Sequence, residues 1–195
     1  MKKEKLPHIP LTFRPLTKSR WNDFERLFGP RGACGGCWCM HWRTRHAEFE
    51  RLKGDGNKRA MKKLVDSGRV PGILAYLKNE PVGWCSIGPR KEFVRFEKSR
   101  IFKPVDDREV WSLNCLFVAK EHRRSGVSRQ LIEAAVAHAA GKGARIVEAY
   151  PFEPKKGNQP DPFVWTGLAS SYFEAGFKEI ARRSPTRPIV WREIK

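Results

Sequence analysis

The sequence predicts an α+β fold, an α/β/α sandwich in which helices cover both faces of a central sheet. Three observations carry the prediction. Short apolar runs recur along the chain, bounded by glycine, proline and asparagine, as strands are. Between them lie stretches with apolar residues at helical spacing, the clearest from Ser125 to Ala140. The uncharged run Val110 to Ala119 reads as a central strand feeding directly into that helix.

Taken in order, residues 1–10 form a loose basic leader, and residues 11–195 form one domain. Leu11 to Leu16 is a short strand whose Pro15 marks an edge or a turn. Ser19 caps a helix running to about Phe28, with Trp21, Phe24, Leu27 and Phe28 on one face, and Gly29-Pro30 stops it. His46–Leu52 and Asn57–Ser67 read as polar helices split by Gly54-Asp55-Gly56, with Gly68 as the C-cap of the second. Pro71–Leu77 and Pro81–Ile87 pair as a hairpin across Asn79-Glu80. Lys91–Phe102 has no clear period and reads as a helical turn followed by a loop. In the helix after the central strand, Val127, Leu131, Ala135 and Ala139 make a buried stripe, widened by Ile132 and Val136. Ala144–Tyr150 is a further strand, and Pro151–Pro162 a proline-rich loop. Thr166–Ala175 is a short helix, and Phe177–Arg183 and Pro188–Ile194 are the closing strands.

Composition narrows the function class. A chain of 195 residues suits one domain with a sizeable core, and 40% hydrophobic residues with seven tryptophans fit a globular protein. The net charge of +18 favours polyanions, whether phosphorylated ligands, nucleic acids or acidic proteins, although a solvated surface accounts for it equally well. The cations are spread along the chain without a basic tail, which argues against a dedicated nucleic-acid arm. Met1–Lys5 is basic, but LPHIPLTFRPL follows with three prolines and no apolar core of a secretion signal. No run approaches the roughly 20 apolar residues of a membrane span, so a cytoplasmic location is the default. Five cysteines, an odd count, do not suggest a secreted disulfide framework.

The segment Phe117–Gly141, FVAKEHRRSGVSRQLIEAAVAHAAG, joins a strand end to a basic turn with one glycine and then to an amphipathic helix. A helix N-terminus offers unpaired N–H groups and a positive dipole end to a phosphate. Gly126 allows close backbone approach, and Arg123, Arg124 and Arg129 add charge. Neither the P-loop pattern Gly-x-x-x-x-Gly-Lys-Ser/Thr nor the dinucleotide fingerprint Gly-x-Gly-x-x-Gly is present. The turn resembles the acyl-CoA signature of the GNAT acetyltransferase superfamily, Gln/Arg-x-x-Gly-x-Gly/Ala. Arg123, Gly126 and Ser128 hold the three defined positions, with serine in place of the family's glycine or alanine. Tyr172-Phe173-Glu174-Ala175-Gly176-Phe177 resembles the family's Tyr-x-x-x-Gly-Phe element, and the resemblance spans roughly Phe13 to Trp191.

The resemblance implies a mixed, mostly antiparallel sheet splayed between its fourth and fifth strands, here Leu113–Val118 and Arg145–Tyr150. It implies acetyl-CoA as co-substrate, with its diphosphate on the turn of Arg123, Arg124, Ser125, Gly126, Val127 and Ser128. Its pantetheine would pair with the backbone of Leu116 and Val118, and an N–H near Leu116 or Phe117 would face the thioester oxygen. Tyr172 would protonate the departing thiolate, although Leu168, Tyr172 and Phe173 at helical spacing also suit a core stripe. Glu109 and Glu148 are candidate general bases; surface salt bridges and a water chain acting as base stay open. Asn114 can orient a water. The acceptor implied is a small-molecule or peptide amine. A non-catalytic CoA- or RNA-binding module is the alternative function, and a homodimer is compatible with the family.

Cys34-Gly35-Gly36-Cys37-Trp38-Cys39-Met40-His41-Trp42 stands apart. Cys34 and Cys37 have zinc-knuckle spacing, but no second pair completes a site, so no metal is expected. A reactive or disulfide-forming pair is a second reading. The favoured one is an extended apolar lid, with Trp38, Met40 and Trp42 walling the acceptor and Gly35-Gly36 as a hinge. His41, His46 and His138 read as packing or surface histidines. Cys85 and Cys115 read as buried strand residues, with a nucleophilic role for Cys115 a minor alternative.

Overall fold

The computed structural model describes residues 10–154 and 164–194. The leader and most of the proline-rich loop lie outside the described residues.

Seven strands form one sheet: β1 Leu11–Pro15, β2 Gly72–Leu77, β3 Glu80–Pro89, β4 Trp111–Val118, β5 Ile146–Ala149, β6 Lys178–Arg182 and β7 Pro188–Glu193, in the order β1-β2-β3-β4-β5-β7-β6. Every pairing is antiparallel except β4 with β5. The helices are α1 Trp21–Phe28, α2 His46–Arg51, α3 Asp55–Asp66, α4 Val127–Ala140 and α5 Ala169–Glu174. A 3-10 turn over Lys18–Arg20 precedes α1, so Ser19 lies inside that turn, its hydroxyl paired with Thr17 Oγ1, instead of capping the helix.

The expected stripe of α4 is the buried one: Val127, Leu131, Ile132, Ala135, Val136 and Ala139 pack with α5 on one face of the sheet. On the other face Phe24 and Phe28 of α1 and Met61 and Val65 of α3 close over Trp84 of β3. Fully burying one such aromatic or aliphatic side chain contributes roughly 1.5–3 kcal/mol, so these two layers hold the sheet from both sides. A third cluster, with Phe93, Phe96, Phe102, Tyr150 and Trp191, fills the end of the sheet near the start of β4. Among the described residues no helix is long and apolar enough to cross a membrane.

Candidate active site

The parallel pair β4–β5 has only three registered positions, Trp111↔Val147, Ser112↔Glu148 and Leu113↔Ala149. Beyond Leu113, β4 continues to Val118 while the chain after β5 turns away, and the two strands part. At the fork Asn114 is an extra residue: opposite β3, Ser86 pairs with Cys115 and Ile87 with Leu113. This bulge reverses the side-chain parity of the strand. Leu113, Leu116 and Val118 therefore share the α4 face, whereas Cys115 and Phe117 pack toward α1.

Parity also sorts the backbone. Ala119 N–H donates to Val82 O, which fixes Trp84↔Phe117 as a hydrogen-bonded pair and turns the polar groups of Leu116 and Val118 to the opposite edge, toward the fork. Of the three strand residues expected to touch the cofactor, Phe117 accordingly directs its backbone to β3 and its ring onto Phe28, 5.4 Å away. Leu116 and Val118 face the fork. The Leu116 N–H expected at the thioester donates to Trp165 O at 2.8 Å, so the stretch around Trp165 lines the open edge of β4. Val118 O accepts from Arg123 Nε at 3.0 Å, tying the turn to the strand.

The turn after β4 leads into the start of α4. Ser125 Oγ donates to His122 O at 2.5 Å, and Arg124 and Gly126 both adopt the left-handed region, with φ of 62° and 82°. Gly126 is the N-cap of α4 and does this without the steric cost a side chain carries. Gln130 N–H is the first helical amide to reach a carbonyl, that of Gly126. Among the described residues the amides of Arg124 to Arg129 donate to no backbone carbonyl. Successive free amides at a helix start, with the exposed Arg124 and Arg129 beside them, suit a diphosphate.

Tyr172 lies in α5, fully buried, its hydroxyl donating to Thr166 O at 2.9 Å. Burial, with the nearby Cys85 and Cys115, pushes the phenol well above its usual range and keeps it protonated. A methyl group built on Gly167 would meet Leu116 Cδ1 and Tyr172 Cε2, both at 2.8 Å, so Tyr172 and Leu116 adjoin the same glycine at the fork. Leu168 and Phe173, which share its helical stripe, are 40% and 39% exposed; the stripe is not a core face.

The two carboxylates diverge. Glu109 is exposed ahead of β4. Glu148 is 1% exposed and points into a polar knot: it accepts from Arg90 Nη1, Tyr150 OH and, at 2.8 Å, Trp191 Nε1. Arg90 in turn donates to Phe102 O at 2.5 Å.

The cysteine segment corrects the extended lid. Ala33, Trp38 and Cys39 have positive φ, so the chain folds into consecutive turns. Trp38 is buried against Phe24 and Phe28, with Met40 in the same buried cluster, and Trp38 covers Gly32 so closely that a Cβ there would lie 2.2 Å from its Nε1. Trp42 alone of the three expected acceptor residues reaches the fork side, stacked on Phe96 and Trp165 with centroids 4.5 and 5.7 Å apart. All five cysteines are free thiols. Burial acts to raise Cys39, but hydrogen bonds from Cys115, Trp84 and Ser86 and the charge of Arg43 bring it down to about 7. No cluster of histidine, cysteine and carboxylate side chains that could hold a metal ion occurs among the described residues.

Two contributors escaped the sequence reading. Trp165 announces itself only through the Thr166-Gly167 turn that follows it, with Gly167 at φ 83°. His41, read as packing or surface, joins the aromatic group 5.2 Å from Trp165, and Arg95 Nη1 donates to its Nδ1 at 3.0 Å, which assigns the ring proton to Nε2.

A strand thus leaves its parallel neighbour at a bulge and runs into a turn of amides without backbone partners at a helix start. Residues 38–160 match the acetyltransferase (GNAT) family. That is well over half of the chain, and the chain belongs to this family. An acetyltransferase of the GNAT family from Listeria monocytogenes is similar in structure at 11% identity and a TM-score of 0.57, covering 94% of this chain and 95% of that one. The PaiA N-acetyltransferase of Thermoplasma acidophilum, in complex with coenzyme A, gives 12% identity and 0.53, with 95% and 99% covered. NAA60 of Arabidopsis thaliana, in complex with acetyl-CoA, gives 15% and 0.50, with 95% and 100% covered. At such identities the likeness shows the fold. No curated protein matches the sequence.

Proposed function

We propose that the protein moves an acetyl group from acetyl-CoA to a primary amine, the amine attacking the thioester directly. Family membership makes acetyl-CoA the co-substrate, and two of the similar structures hold coenzyme A or acetyl-CoA. Acetyl-CoA supplies the activated acyl group; this chain's residues bind it, align it and manage protons. The observation that carries the reading is the row of unpaired amides from Arg124 to Arg129 beside the fork.

The turn holds the diphosphate, with Arg123, Arg124 and Arg129 as counter-charges and Gly126 leaving room. The fork edge at Leu116 and Val118 receives the pantetheine, and Leu116 N–H exchanges the Trp165 carbonyl for the thioester oxygen. Stabilising that oxygen as charge develops is the main electrostatic task of such a site. Tyr172, held protonated next to the same edge, donates a proton to the departing thiolate. The incoming amine loses its proton to water: Glu148 is engaged by three donors and Glu109 stands exposed at the strand start.

Gly126→Asp tests the reading. Aspartate tolerates left-handed backbone better than most residues, so the turn survives while an anion enters the phosphate position. Calorimetric affinity for acetyl-CoA falls at least 100-fold, about 2.7 kcal/mol. Gly126→Asn, similar in shape but uncharged, loses much less. Acetyl-CoA affinity that is the same in the Asp variant as in the native protein refutes the site.

A further inference from the structure

A groove of about 480 Å³ opens behind the Trp42 side of the fork, between the end of the cysteine segment and residues 94–99. We infer that it seats a carboxylate or phosphate group of the acyl acceptor, so that the acceptor is an amine that also carries an anionic group. The inference rests on the acetyl-transfer reading above and adds a substrate class to it.

The lining is net positive. Arg45, Arg95 and Lys98 line it against the carboxylate of Glu97, with Glu50 near enough for its charge to act on Arg95 and His41. His41, also in the lining, is brought down from 6.5 to about 4 by burial and by the neighbouring charges of Arg95 and His46, so it is a neutral hydrogen-bonding ring at physiological pH.

Arg95 is pre-set to receive an anion. Its backbone N–H donates to Trp42 O at 3.3 Å, and its Nη1 donates to His41 O and to His41 Nδ1, each at 3.0 Å. These contacts fix the guanidinium through one nitrogen. Its Nε and Nη2 donate to no group among the described residues, leaving part of the fork for a bidentate oxyanion. Trp42 lines the same wall, its ring stacked on Phe96 and Trp165.

The groove adjoins the chemistry. His41 and Trp42 line it, and both rings also pack on Trp165, whose carbonyl holds Leu116 N–H at the fork. An acceptor with its anionic group at Arg95 would lay its apolar middle along Trp42 and Trp165 and present its amine to the strand parting. Neutral amines would keep the aromatic contact and lose the charged one.

The test uses matched amines with the full-length protein: phenylalanine against phenylalaninamide for a carboxylate, and phosphoethanolamine against ethanolamine for a phosphate. Thiol release reads kcat/KM, and calorimetry on the CoA-loaded protein reads binding where turnover is slow. At least one anionic member is favoured tenfold or more, and the pair that shows it names the anion. Arg45→Glu with Lys98→Glu, both on exposed side chains, reverses that preference while the melting temperature holds. Equal use and equal binding of both members of both pairs overturns the inference, and turnover of neutral amines in that case leaves acetyl transfer standing. A protein that binds no acetyl-CoA fails at the earlier step, which separates the two outcomes.

Discussion

Removing the carboxylate of Glu148 tests whether that residue is a base or a structural anion. In the folded chain it has 1% side-chain exposure, and its partner Arg90 has 14%. Glu148→Ala leaves the Arg90 guanidinium and Trp191 Nε1 buried without their acceptor. Breaking one half of a buried ion pair costs about 3–5 kcal/mol. For a domain of this size each kcal/mol moves the melting temperature by roughly 2–4 °C, so the expected fall is about 6–20 °C. Scanning calorimetry measures it, and acetyl-CoA titration at low temperature shows whether the remaining folded protein still binds. Replacing both partners, Glu148→Leu with Arg90→Met, recovers much of the loss, because no uncompensated charge stays buried. A Glu148→Ala protein that melts within 2 °C of the native one, yet has lost a thousandfold in kcat, would refute the structural assignment and make Glu148 the base after all.

Acid stability follows from His41. With its pKa lowered to about 4 in the folded protein against an ordinary 6.5, the unfolded chain binds more protons between those values, so stability drops as pH falls through that window. His41→Asn removes this contribution, and its melting temperature changes less between pH 7 and pH 4 than that of the native protein; identical slopes refute the assignment. Thiol chemistry follows from exposure. Cys34 is exposed, Cys39 and Cys85 are buried, and burial helps to push Cys37 up to about 11. Maleimide at neutral pH labels one thiol per chain quickly and all five only after denaturation; more than one fast equivalent contradicts the packing of the cysteine segment.

The parts legible in the sequence are those that short-range pattern determines. The α4 stripe, the β2–β3 hairpin and the closing strands are set by periodicity and turn residues, and they lie within a few residues of their expected ends. The candidate phosphate turn is readable because its pattern is local: arginines, one glycine and a helix start. What escaped depends on long-range packing. The cysteine segment alternates as a strand would, yet Trp38 gains more by covering Gly32 and stacking on Phe28 than by extending. Glu148 looks like any strand carboxylate until Arg90, 58 positions earlier, and Trp191, 43 positions later, arrive beside it. Trp165 reaches the edge of β4 through a loop contact that no periodicity encodes.

The additional residue at Asn114 makes β4 a strand with two reading frames. Upstream of it Leu113 looks toward α4; downstream, the same side is taken by Leu116 and Val118. Deleting that one position would rotate the downstream half by a half-turn, sending Phe117 under α4 and Leu116 toward Trp84, and exchanging the backbone groups that meet β3 with those that face the fork. Point substitutions along β4 can be absorbed one at a time, but a change of length there would invert every neighbour at once. The strand tolerates spelling errors and no frameshift.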